Sequence, residues 1–215
     1  MSRAMNRSLT ILAGAAALLL SACGSSNDVP APEVKVTELA AGAYAVSSGD
    51  AANPTAGKYY AAADGSRLLV LNNSGQQASA LYRRDGNGSW QMTPTATQNT
   101  TLDLLNSSAT PSTTVTVSAL ARSYSVRLSS GAAAAFSVSS SGDIVAGATS
   151  CKLSGKLSAS TLPNTLKASL STSGCGDLPA QSDGYLVVDG DYAPAVFRLL
   201  MYSGSTLVDL WAYAE

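Results

Sequence analysis

Beyond residue 40 the chain is interrupted about every eight to twelve residues by Gly, Asp, Asn, Ser or Pro, and the stretches between these turn signals are short, β-branched and aromatic. That rhythm suits strands. Helix is disfavoured further because Glu occurs only at Glu33, Glu38 and Glu215, so no surface helix supported by Glu and Lys four residues apart can be drawn. The run Ala132 to Ala135 is about one turn long and too short to hold as an isolated helix. About fourteen strands are predicted. An all-β fold follows, an antiparallel β-barrel or a two-sheet sandwich of short strands, with its edges closed or protected.

Individual strands can be placed. Gly42 to Ser47, Lys58 to Ala63 and Arg67 to Asn72 come first, the last two joined at Asp64-Gly65, which suits a two-residue type I′ turn. Gln77 to Arg84 and Ser89 to Thr93 flank Asp85-Gly86-Asn87-Gly88 as a second hairpin, and Thr100 to Leu105 follows. Val115, Val117 and Ala119 alternate with polar residues in Thr113 to Leu120, which predicts another strand. Then come Tyr124 to Leu128, Ala134 to Ser139, Gly142 to Ala146, Cys151 to Ser158, Leu166 to Ser171, Tyr185 to Asp189, Val196 to Tyr202 and Thr206 to Tyr213. The best internal boundary is 106–112, which contains Pro111, although one continuous domain is the preferred reading.

The N-terminus carries a different signal. Arg3 and Arg7 precede an apolar run from Ile11 to Leu20, and Leu20-Ser21-Ala22-Cys23 ends it. Ten apolar residues are half of the roughly 20 that span a bilayer. The segment resembles the bacterial lipobox family. That resemblance implies a signal peptide at 1–22, cleavage before Cys23, and acylation of its thiol and new amino group. Paired acyl chains, worth roughly 0.8 kcal/mol per buried methylene, anchor stably where one alone does not. Gly24 resembles the residue that follows the cysteine in outer-membrane members, since Asp there favours the inner membrane. The expected organisation is therefore 1–22 signal, 23–39 lipidated cysteine and flexible linker, and 40–215 β domain, with Pro30 and Pro32 among small and charged residues in the linker.

Composition narrows the chemistry. The net charge is −1, and losing Arg3 and Arg7 takes it to −3. Basic residues are scattered, with only Arg83-Arg84 adjacent, so the counterion-releasing stripe of a nucleic-acid binder is absent. The chain contains no histidine, which excludes Ser-His-Asp triads and His-ligated zinc. Once Cys23 is consumed by lipid, Cys151 and Cys175 remain as an even pair in an oxidising compartment and are expected to form a disulfide.

Asp189-Gly190-Asp191 and the Asp177 and Asp183 pair are the densest carboxylates, and each lies beside a turn residue, where Asp stabilises the turn with its own side chain. Asp85 to Ser89 and Asp189 to Asp191 offer part of a calcium site, but neither continues to the bidentate Glu of a full loop. No catalytic residue, metal or cofactor is assigned.

The C-terminal hairpin is the richest local feature. A turn centred on Gly204-Ser205 sets Arg198 across from Trp211 as a cation–π pair, and one centred on Ser203-Gly204 sets it across from Asp209. Arg198, Asp209 and Trp211 are thus the candidate ligand pocket, against the plainer alternative of a core-closing hairpin. The function expected is an outer-membrane-anchored lipoprotein whose non-catalytic β domain binds an unknown protein or small apolar ligand, or supports the envelope. The other class is a carboxylate-dependent hydrolase acting on envelope polymers.

Overall fold

The computed structural model describes residues 30–215, so the lipobox-like run and Cys23 lie outside the described residues. Pro32–Glu215 forms one compact unit. Its first half builds a six-stranded antiparallel sheet from β2 (Gly42–Asp50), β3 (Asn53–Ala61), β4 (Arg67–Asn72), β5 (Ala78–Arg84), β6 (Gln91–Thr93) and β8 (Leu104–Thr110), in the order β6-β5-β4-β3-β2-β8. β1 (Val34–Val36) and β7 (Thr100–Leu102) pair in parallel beside it.

The second half closes an eight-stranded antiparallel barrel. Its strands are β9 (Ser123–Arg127), β10 (Ala133–Val138), β11 (Asp143–Ala146), β12 (Lys152–Ala159), β13 (Thr165–Ser173), β14 (Gln181–Val187), β15 (Phe197–Ser203) and β16 (Thr206–Ala214). Each pairs with its sequence neighbour, and β16 returns to β9 through Ala212, Tyr213 and Ala214, which closes the ring.

Alternation explains the barrel. On β13, Leu166, Ala168 and Leu170 point inward while Lys167, Ser169 and Ser171 are exposed, and Ala134, Phe136 and Val138 do the same inward work on β10. The interior is filled, with Tyr124 stacked on Phe136 and edge-on to Phe197 among leucines and valines. At Gly184 a Cβ would lie 2.1 Å from the Leu200 carbonyl oxygen, so β14 and β15 approach as only glycine permits.

Where the barrel meets the sheet, the alternation disappears. β15 is buried on both faces from Phe197 to Met201, since Phe197, Leu199 and Met201 enter the barrel and Leu200 faces the sheet. Tyr185, Val187 and Leu200 on the barrel wall pack on Tyr60, Leu68 and Val70 of the sheet. The sheet's other face, with Tyr59, Leu69 and Leu71, is covered by Val34, Val36 and Leu102. A central strand such as β4 therefore reads as the unbroken apolar run Leu68-Leu69-Val70-Leu71.

Four local expectations are corrected. Thr113 to Leu120 is not a strand: it crosses one end of the barrel and closes with a 3-10 helix, η1 (Val117–Leu120). Asn164, at φ 61°, takes the place of a ladder there, accepting from the Thr113 amide at 2.6 Å and donating its own amide to the Thr113 carbonyl at 2.8 Å. Val115 and Val117 pack on the barrel core, so their period-two pattern reflects an extended plug. The segment 106–112 is strand as far as Thr110 rather than loop throughout, with the sheet strands before it and the barrel strands after it. The linker expected through residue 39 contains β1, because Val34 and Val36 bury against the sheet while Lys35 faces out. Finally, Asp64-Gly65 is no type I′ pair. Among the described residues only Gln76 and Asn164 combine a side chain with positive φ, so Gly65 alone takes it, at 91°, and the loop is one residue longer.

Cys151 and Cys175 are joined, with sulfurs 2.09 Å apart. The bridge sits just beyond the Lys152↔Ser173 pair and closes the open end of the β12–β13 hairpin.

Candidate functional site

The C-terminal turn selects between the two registers. Ser203 pairs with Thr206, Gly204 has φ 55°, and Arg198 lies across from Trp211. The arginine alternates out of the barrel, and the sheet covers it there. Its guanidinium is fully buried, 4.4 Å over the Trp211 ring and 5.0 Å from the Tyr192 ring. Nε donates to Asp209 Oδ1 at 3.0 Å and Nη2 to Asp209 Oδ2 at 2.5 Å, which brings in the diagonal neighbour as well. Asn72 Oδ1 accepts from both terminal nitrogens at 3.2 Å, and the Ala78 amide donates to Asp209 at 2.7 Å. The three residues picked from the sequence thus converge, as a clamp that fastens the β4–β5 turn of the sheet to the barrel.

A second polar group lies on the same interface. The Lys58 ammonium, on β3, bonds to Asp189 at 3.1 Å and to Asp191, both on the β14–β15 connection. Burial works against the Lys58 charge, but hydrogen bonds to Asp191 and Asp189 outweigh it and hold the pKa above the ordinary lysine value. The Tyr60 hydroxyl donates to Asp189 at 3.3 Å and lies 3.4 Å from the Tyr192 hydroxyl. Burial, with Tyr192 and Asp189 beside it, pushes the Tyr60 phenol well above its usual range. Asp189 also accepts from the Asp191 amide at 3.0 Å, so the turn role read from Asp189-Gly190-Asp191 coexists with an ion pair that local sequence could not reveal. Among the described residues no group of three or more Cys, Asp or Glu side chains is placed to hold a metal ion.

The groove beside these clusters is larger than either. It has a volume of about 1100 Å³ and runs along β16 from Thr206 to Tyr213, opposite a lip formed by Arg127 to Ser130. Asp209 and Trp211 line it, whereas Arg198 lies beneath them and does not. Leu128 and Leu178 give it an apolar floor at the barrel mouth, and Asp177 and Asp191 stand on its rim. The Cys151–Cys175 bridge fixes the segment that carries Leu178.

Lys58, Tyr60, Asn72 and Tyr192 escaped the reading of the sequence. Their partners are more than 120 residues away in the chain, and no local pattern encodes such pairs. Compared with known proteins, the chain matches no family model, no curated protein and no solved structure.

Proposed function

We propose that this chain is an outer-membrane lipoprotein, anchored through acylated Cys23, whose β domain binds a macromolecular partner without catalysing a reaction. The lipobox-like run ending at Cys23 supports the anchor. The observation that carries binding is the groove along β16, a half-open cleft built on rigid strands and backed by a filled barrel. The filled interior favours a protein partner over a small apolar ligand held inside the barrel, as lipid-carrying barrels hold theirs.

The second reading, a carboxylate-dependent hydrolase acting on envelope polymers, has one observation in its favour: Asp189 and Asp191 converge. They converge on Lys58, however, which neutralises part of their charge, and the Asp189 side chain is buried.

Intact mass and membrane fractionation of wild type and Cys23→Ser test the anchor. The proposal expects wild type cleaved before Cys23, carrying added lipid mass and sedimenting with the outer membrane. Cys23→Ser is expected to lose the lipid. Wild type that is soluble and free of lipid overturns the anchor and every statement of location with it.

A further inference from the structure

The barrel closes over only part of its seam. β9 and β16 pair at Ala212↔Val126, Tyr213↔Ser125 and Ala214↔Tyr124, yet β16 begins at Thr206. From Thr206 to Trp211 it therefore has β15 on one side and no strand on the other, because the chain leaves β9 at Arg127 and turns toward β10. A free strand edge presents unpaired amide and carbonyl groups, a template for a further strand.

The groove lies along this edge. Its β16 lining runs from Thr206 to Tyr213, roughly 23 Å at about 3.3 Å per residue. Leu128 and Leu178 line the inner side, suited to apolar side chains at every second position of an inserted strand. The rim is acidic at its Asp191 end, where Asp189 and Asp191 share one lysine and the Asp191 side chain is 73% exposed, while Arg127 places a positive charge on the lip.

We infer that the open seam beside Thr206–Trp211 is a docking site for an extended polypeptide segment, which adds to β16 as a strand and alternates apolar residues with polar ones, carrying a Lys or Arg at the end near Asp191. This rests on the reading of the β domain as a binding module and names the class of its partner. The free edge favours peptide over glycan, because a peptide strand repeats its N–H and C=O at the same two-residue spacing as the edge, a repeat that sugar hydroxyls lack.

The test pans the full-length chain against displayed random peptides of roughly ten to twelve residues, long enough to span the groove at about 3.3 Å per residue. Ser129→Trp, an exposed change on the lip, serves as the blocked variant, with its unfolding midpoint measured to confirm an intact fold. The expected peptides show apolar side chains at alternate positions and a basic residue at one end. They slow amide exchange across Leu207–Trp211 and bind Ser129→Trp at least about tenfold more weakly. Peptides that bind wild type and Ser129→Trp equally, or that protect other strands, overturn the seam while leaving a binding domain in place. Failure to enrich any peptide, or protection of these amides by chitooligosaccharides alone, overturns the peptide assignment.

Discussion

Arg198 shows how far one side chain depends on its surroundings. Its charge is buried completely, and Asp209, Asn72 and the Trp211 face provide the compensation. Arg198→Ala leaves Asp209 buried without its partner and is expected to cost about 3–5 kcal/mol, read from the denaturation midpoint. Replacing both members of the pair with leucine is expected to recover much of that loss, because the double change removes the stranded charge. At Gly184 the limit is space. A methyl group there meets the backbone carbonyl of Leu200, which cannot rotate away, so Gly184→Ala is expected to destabilise by about 1–3 kcal/mol. Both residues stood plainly in the sequence, but the burial of one and the crowding of the other depend on strands that arrive from elsewhere in the chain.

Among the elements, hairpins were the most legible. Arg67–Asn72 falls where its pattern put it, and the β15–β16 hairpin is within a residue of its expected bounds at each end. Both are local, set by turn residues and by alternation or a continuous apolar run. Thr113 to Leu120 misled for a physical reason: period two reports which side chains are buried, and an extended plug buries alternate residues without a ladder. β1 was missed because three residues, Val-Lys-Val, carry too little pattern to stand out beside Pro30 and Pro32. The disulfide acts at this scale too. It closes a span of 24 residues around the β12–β13 hairpin, so Cys151→Ser with Cys175→Ser is expected to lose roughly 3–4 kcal/mol by the loop-entropy relation, measured by chemical denaturation of the oxidised parent and the variant.

For the whole molecule, the sheet and the barrel share a core, so they are expected to unfold together. Trp90 belongs to the sheet side and Trp211 to the barrel. Tryptophan fluorescence and far-ultraviolet circular dichroism of the unaltered protein are expected to report one denaturant midpoint, and two separated transitions would show that the halves unfold independently. The pH response is also collective. Burial raises the pKa of Tyr59, Tyr60, Tyr82, Tyr124, Tyr185 and Tyr192, Tyr185 to about 12. Groups whose folded pKa is raised stabilise fully below their unfolded value, and that contribution is lost as pH rises through the folded one. Lys58, raised as well, works in the same direction. Stability is therefore expected to fall between about pH 10, where unfolded tyrosines ionise, and about pH 12, measured by thermal melts across that window.

The sequence by itself determined that this chain is built of strands, where most of them lie, and which two cysteines among the described residues are joined, because turn chemistry, alternation and residue counting are local properties. Only the tertiary structure decided that eight strands close while six others lie against them, that Arg198 faces the sheet, that Lys58 meets Asp189, and that β16 leaves its edge open from Thr206 to Trp211. Those outcomes depend on surfaces brought together from distant parts of the chain, and the free energy of such contacts belongs to pairs of elements that neither one encodes alone.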